Sequence, residues 1–436
     1  QNFTYQEEHA SVLLPEQQPH ALHQQNGFLG TASYTPNDKH SFKASTWLQS
    51  LTREIPPLRT QRISEAIQFD TLIRSQFEWS ADWNIYQHKI LVTLRDESNA
   101  YRDPRNGIDA NNQFAAQQIL SQHQLHFSEK FQTHFGLNAN WIQVSTPNYQ
   151  NAKTSLSRYQ VYFKPVYQLK NIPLQFEGAI RYNQDRDSIA PFTGHIKAFW
   201  KGEYHRFSLE LTRAHRFPSF NDLFWEPAGN PDLKPENSQQ LNFGYQFLHT
   251  SSNKQVKLQC NLFYKNIDNW ILWAPIDQFL WSPSNILEVT SMGIDLNHSF
   301  SYRISEEQAF SIQLNGLYQS VRNTGPINTP RAQKGENLIY MPEFKLSGSL
   351  RWEYQNFTAM YIHNWRSKIY TSPDLSEYLD ALNIGQFRLS YEINVLQQEI
   401  QVFVRAHNLW NTSYYYQPNL PAPGVRWRAG FLIQKR

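Results

Sequence analysis

The chain has 436 residues, with 40 Lys and Arg against 37 Asp and Glu for a net charge of +3. That near balance excludes a basic nucleic-acid binder or a charged tail, and the single cysteine, Cys260, excludes a disulfide framework and any multi-cysteine metal site. Aromatic residues reach 15% although mean hydropathy is negative, and no run of 18 apolar residues exists to cross a membrane as a helix. The opening residues, Gln1 to Tyr5, carry neither the basic nor the apolar region of a signal peptide.

Alternation with period two runs along the whole chain. Leu174, Phe176, Gly178, Ile180 and Tyr182 interleave with Gln175, Glu177, Ala179, Arg181 and Asn183. Val256, Leu258, Cys260, Leu262 and Tyr264 alternate with Lys257, Gln259, Asn261, Phe263 and Lys265. The pattern returns at 345–354 and again at 425–434. Successive side chains of a strand leave opposite faces, so each segment has an apolar face and a polar one. Strands this long, with Arg, Lys, Glu and Gln on the second face, suit a barrel with a wet lumen better than a soluble sandwich.

Connections reinforce the pattern. Short turns are predicted at 35–39, 80–83, 131–133, 170–172, 204–206, 250–254, 302–306, 354–357 and 394–398. Longer polar loops are predicted at 58–64, 102–117, 183–193, 219–239, 275–283, 321–337, 372–383 and 414–423. Short and long alternate, as periplasmic turns and extracellular loops do. The predicted fold class is therefore all-β, a transmembrane antiparallel β-barrel with about twenty strands in this chain. Hydrocarbon offers no partner to an open sheet edge, so closure is expected. Trp47, Tyr182, Trp352, Tyr354, Trp365 and Trp427 are candidates for the interfacial aromatic girdles.

The segment from Arg213 to Asn237 reads RAHRFPSFNDLFWEPAGNPDLKPEN. It resembles the stretch of TonB-dependent outer-membrane receptors in which Arg-x-Pro-Ser/Thr-Phe-x-Asp/Glu-Leu precedes Gly-Asn-Pro-x-Leu-Lys-Pro-Glu. Arg216, Pro218, Ser219, Phe220, Asp222 and Leu223 take the first set of positions; Gly229, Asn230, Pro231, Leu233, Lys234, Pro235 and Glu236 take the second. The stretches 264–273 and 408–414, with Pro423 and Gly424, resemble later hairpins of the same family, and 53–57 resembles a strand end of the vitamin B12-type receptors.

The resemblance implies a barrel of twenty-two strands, of which the plug domain and first hairpin are expected to be absent from residues 1–436. It also implies an active transporter in the bacterial outer membrane, not an enzyme. The cargo would be a small-molecule nutrient such as a corrinoid, ferric siderophore or haem. Implied partners are outer-membrane lipid, the TonB-ExbB-ExbD system acting through the plug, and a surface lipoprotein. A plugless or partner-filled structural barrel is the alternative.

Catalytic motifs are missing from the sequence, and His298, beside Ser299, shares the lipid-side phase of Met292 and Leu296 rather than building a catalytic pair. The loop aromatics Phe224, Trp225, Trp270, Trp273, Trp281, Tyr415 and Tyr416, with Tyr414, are the ligand-binding candidates, against ordinary belt or loop packing. Asp103 and Asp109, with Asn106, Asn111 and Asn112, form an oxygen-rich run that either holds calcium or is a polar turn. His9, His20 and His23 are candidate haem or metal ligands, with plain surface histidines the alternative. Arg181, Lys257, Lys265, Arg351, Arg388, Arg405, Arg426 and Arg428 are expected to line the lumen and to pair across strands with Glu177, Glu210, Asp295, Glu353 and Glu392 or with the plug, the alternative being a positive wall that favours anionic solutes.

Two measurements test this reading. The protein should show heat-modifiable gel mobility with a β-only far-ultraviolet spectrum. Cys260 should react with apolar thiol reagents and resist membrane-impermeant ones; the reverse selectivity would put it on the lumen face.

Overall fold

The computed structural model describes all residues except 1, 8–19, 58–61, 186–187, 191, 276–279, 326–333, 373–374, 396–397, 419 and 436. The strands are β1 (Asn2–Glu7), β2 (His23–Asn37), β3 (His40–Glu54), β4 (Ile67–Asp82), β5 (Tyr86–Asp103) and β6 (Ile108–His126). There follow β7 (Phe131–Ser145), β8 (Lys153–Gln168), β9 (Leu174–Asp185), β10 (Ser188–Ile189), β11 (Thr193–Lys201) and β12 (His205–Arg216). A five-residue helix, α1 (Phe220–Phe224), separates these from β13 (Glu236–Thr250), β14 (Lys254–Pro275), β15 (Trp281–Arg303) and β16 (Gln308–Asn323). The chain continues through β17 (Phe344–Tyr354), β18 (Phe357–Arg366), β19 (Ile369–Tyr370), β20 (Tyr378–Leu379) and β21 (Leu382–Val395). It closes with β22 (Gln398–His407), β23 (Tyr415–Gln417), β24 (Leu420–Pro421) and β25 (Arg426–Lys435).

Among the described residues one 21-stranded antiparallel sheet holds all but β19, β20, β23 and β24, which form two small loop hairpins. Each long strand pairs with its neighbour in the chain, from β1–β2 through β22–β25, and the two-residue β10 folds back on β9. Within the described residues β1 and β25 each have one partner, so the expected closure is not drawn by their pairing.

Register fixes the faces. Leu241 lies opposite Tyr264 and Phe243 opposite Leu262, while Leu262 meets Ile294 and Tyr264 meets Met292, forming a continuous apolar band. Leu241, Phe243, Leu262, Tyr264 and Met292 are exposed because this band faces hydrocarbon rather than a core. Cys260, opposite Tyr245 and Leu296, belongs to the same face, as does His298, opposite Leu258 and Leu314.

Alternate residues build a polar wall. Glu97 holds Arg74 at 2.8 Å and Arg95 at 3.2 Å, and Lys89 reaches Glu78 at 3.0 Å. The expected pairing of Glu353 with Arg351 is present. Other acids choose partners that the spacing did not single out: Glu177 binds Lys164 and His195, and Glu210 binds Lys197. Asp295 and Glu392 instead accept from the amides of Asn297 and Gln401. These half-exposed pairs fix side-chain order more than they stabilise the fold.

Several expectations are corrected. The polar run 102–117 is not a long loop: one 3-10 turn, Pro104–Asn106, closed by Gly107 at φ +65°, joins β5 to β6. Asn112 then bonds Asn99 and Thr146 across neighbouring strands, so these polar residues are strand residues of the inner face. The loop expected at 275–283 is trimmed at both ends, since β14 runs to Pro275 and β15 starts at Trp281, with 276–279 outside the described residues. Trp47 is not a girdle residue; its ring lies under the Arg74 guanidinium at 5.3 Å on the polar face, while Leu48 takes the outward position.

The turn predicted at 131–133 falls instead at 127–130, because Phe131 already pairs with Tyr167 in β7. Near this short-turn end the sequence had hidden a second aromatic row. Trp79 meets His88 edge-on at 5.0 Å, and His88, His123 and Phe135 stack at 4.8 and 4.6 Å, so that the row crosses four strands on the apolar face. Amphipathic rings of this kind suit headgroup depth.

The faces make a direct prediction. Leu262→Arg should cost about 2–4 kcal/mol in urea-induced unfolding from lipid bilayers. Asn261→Arg, one residue away on the polar face, should cost far less; equal losses would contradict the assignment.

Candidate functional site

At the end away from the short turns, the segment between β12 and β13 folds into a compact knot. Arg216 ends β12 directly opposite Glu236, which begins β13. Their side chains form a fork, Nε to Oε2 at 2.7 Å and Nη2 to Oε1 at 2.5 Å. Glu236 is buried, and the same Oε1 accepts from the Ile271 amide at 2.9 Å. That amide is available because β14 slips register around Trp270, with Asn269 in the left-handed region at φ +57°. One carboxylate thus joins three strands, using charge-assisted bonds that are among the strongest a side chain makes.

Between these two residues Ser219 caps α1. Its hydroxyl accepts from the Asp222 amide at 3.2 Å while Asp222 Oδ2 accepts from the Ser219 amide at 2.8 Å, a reciprocal box. The other Asp222 oxygen accepts from the Trp273 indole at 2.8 Å, tying the helix to β14. Leu223, 1% exposed, packs with Leu233, Ile271 and Phe224. At Gly229 a Cβ would sit 2.5 Å from the Trp225 nitrogen and 2.8 Å from that of Phe224, so the turn needs glycine.

The second half of the signature fastens onto β15. Asn230 donates to the Pro283 carbonyl at 3.2 Å, and Ser282 donates to the Ala228 carbonyl at 2.8 Å. Asn285 accepts from the Lys234 amide at 2.8 Å and returns bonds to the carbonyls of Lys234 and Asn269. A third hairpin joins through Tyr149, whose hydroxyl donates to Asn221 Oδ1 at 2.6 Å; burial raises that phenol above its ordinary pKa. Sequence reasoning missed Tyr149, because nothing local marks a tyrosine whose partner lies 72 positions away.

The aromatic candidates divide by what they touch. Phe224, Trp270 and Trp273 are packed into the rim: Trp270 covers the cluster of Ile267, Val289, Val321 and Leu338. Trp225 and Trp281 each keep 37% of their surface exposed on the same knot and hairpin. Tyr415 and Tyr416 lie on a different loop, where Tyr414 is buried and packs edge-on against Tyr416. Burial, then the Tyr416 hydroxyl, raises the Tyr414 phenol. A further cation–aromatic group went unnoticed: Lys368 Nζ lies 4.7 Å from the Tyr370 ring and 5.4 Å from that of Tyr378.

The described metal candidates have partners of their own. Asp103 accepts from the Asn106 amide nitrogens and caps the 3-10 turn, whereas Asp109 is exposed beside Arg102 at 3.5 Å. His20 bonds the Ala66 carbonyl and faces Glu54, His23 lies within β2, and His9 falls outside the described residues. Among the described residues no three His, Cys, Asp or Glu side chains converge.

The family model described as "TonB dependent receptor-like, beta-barrel" matches residues 15–431. In sequence, the chain is 26% identical over 219 residues to the vitamin B12 transporter BtuB of Photobacterium profundum, covering 48% of this chain and 34% of that protein. It is 31% identical over 107 residues to BtuB of Vibrio vulnificus, covering 24% of this chain and 17% of that one. The chain thus spans about a third or less of the length of these curated relatives. In structure, it matches the FrpB iron transporter of Neisseria meningitidis with a TM-score of 0.75 at 11% identity, over 98% of this chain and 76% of that one. The ferric yersiniabactin uptake receptor FyuA of Yersinia pestis matches with a TM-score of 0.72 at 12% identity, over 99% and 73%. At such identities the structural matches speak for the fold, and the family model speaks for descent. The chain belongs to the TonB-dependent receptor family, whose β-barrels lie in the bacterial outer membrane and serve as receptors and transporters rather than enzymes.

Proposed function

We propose that this chain is the barrel wall of an active transporter that takes up a scarce nutrient of the corrinoid or ferric-chelate class. The nutrient would be held at the extracellular rim and released inward by TonB acting on a plug. The observation that carries this reading is the knot built from Arg216, Asp222 and Glu236, which with Tyr149 braces three hairpins around exposed Trp225 and Trp281. A rigid rim presenting aromatic faces suits a large, partly apolar ring system. Preference for a corrinoid comes from the relatives matched by sequence, both named vitamin B12 transporters. The charged wall supports passage of a polar solute, and transport needs only differential binding to two plug states.

The full-length protein in its native membrane should bind vitamin B12 in native mass spectrometry, and cells carrying it should accumulate the vitamin only when TonB is present. Binding of a ferric siderophore instead would move the reading to that cargo. Uptake of neither, with or without TonB, would replace the transporter by a partner-filled structural barrel.

Side chains separate the roles further. Trp225→Ala and Trp281→Ala should each weaken ligand binding roughly tenfold while leaving thermal stability nearly unchanged. Trp273→Ala should instead expose the β12–β13 segment to protease, because it removes the indole donor from buried Asp222. Loss of binding in all three with equal protease sensitivity would deny the division.

A further inference from the structure

On the outer face, the apolar column Phe207, Leu209 and Leu211 of β12 ends in a charge. Arg213 follows in the same phase, opposite Gly194 of β11 and Gln239 of β13. It lies one row nearer the rim than Leu211, which faces Leu241 in the apolar band. A cation on the lipid face is costly at the bilayer midplane and nearly free at the interface, so Arg213 marks headgroup depth. Its Nε donates to Asn237 Oδ1 at 3.3 Å, and its terminal nitrogens make no hydrogen bond or ion pair among the described residues.

Beneath this arginine the lipid face is hollowed. Gly178 of β9 lies opposite Ile196 of β11, and Ile196 lies opposite Leu211. In the next row toward the rim, Ile180 faces Gly194, which faces Arg213. The two glycines leave a groove of about 540 Å³, walled by Phe163, Ile180, Phe192, Ile196 and Leu211 and reaching Arg213. Ile196 and Phe192 keep 69% and 61% of their surface exposed, more than most of the outer band. No carboxylate lines the groove among the described residues.

We propose that this groove seats an acyl chain of a phosphorylated lipid of the outer leaflet, with the lipid phosphate forked by Arg213. Bulk lipid chains that bridge a hollow forfeit their contacts with its walls, whereas a chain held within it recovers them. Apolar walls alone accept any hydrocarbon; the guanidinium at the mouth matches paired phosphate oxygens and so selects an anionic head. The site faces away from the lumen, and it therefore holds whichever cargo the rim selects and whatever fills the barrel.

Native mass spectrometry of the purified full-length protein in detergent, titrated with lipid A, tests the assignment. Lipid A should bind saturably, and its dephosphorylated form should bind about tenfold more weakly. Arg213→Gln should weaken lipid A about tenfold; if that variant loses heat-modifiable mobility, R213K keeps the charge without the fork and should weaken it roughly threefold. Gly178→Leu should weaken both lipids alike by filling the groove, since a Cβ there meets only Pro165 Cγ at 3.9 Å and the His195 carbonyl at 4.0 Å. Gly316→Leu, a matched change on the outer face of β16 opposite Leu296 and Leu346, should leave binding within about twofold. No saturable binding to the wild type overturns the proposal, as does unchanged affinity in folded R213Q or G178L. Displacement of the lipid by inorganic phosphate would reduce the site to a plain anion site, and a protein dimer dispersed by G178L would give the groove to a second copy; either result overturns it.

Discussion

Everything in this molecule follows from backbone hydrogen bonding in a medium that offers none. A peptide group in hydrocarbon must find its partner within the protein, and without long apolar helices the chain meets that demand with strands. Antiparallel neighbours joined by short turns satisfy it locally, which is why every long strand pairs with the next one in the chain. The composition then follows from the pleat. One face must be apolar for lipid and the other polar for water, so an average over both is hydrophilic even where the outer band is densely aromatic.

Local departures from that regular ladder create the rim. The slip in β14 leaves the Ile271 amide without its ladder partner, and Glu236 supplies one. Because Glu236 is also forked to Arg216, a defect in one strand becomes the fastening point of three. Asp222 performs a similar service for α1, joining the helix start to the Trp273 indole. The family signature is thus largely a recipe for satisfying buried polar groups outside the membrane, and aromatic surface is left over for other work.

Much of this was legible in the sequence, and the rest was hidden for physical reasons. The strands at 174–182 and 256–264 announced themselves because lipid and lumen impose opposite chemistry on successive residues. The stretch from Asp103 to Asn112 did not, because its inner-face asparagines bond one another and read as a polar loop. Trp47 was misplaced since an indole serves equally in a lipid belt or beneath a guanidinium, and only register tells which. Among the rim aromatics, composition could not separate Trp273 from Trp281: the distinction rests on Asp222, 51 positions away. Arginine forks at Arg405 and Arg428 were visible as lumen charges, but their alignment in a row needed the pairing of β22 with β25.

The length of the central hairpin has a consequence for timing. At 22 and 23 residues, β14 and β15 are about twice as long as a bilayer crossing needs, so their upper halves stand clear of the lipid. An unsupported ribbon of that reach would sample many shapes, and any guest would have to arrest that motion on arrival. Here the knot from β12 and β13 arrests it during folding. A guest therefore meets a face already set, with encounter governed by diffusion and orientation rather than by waiting for a loop to close.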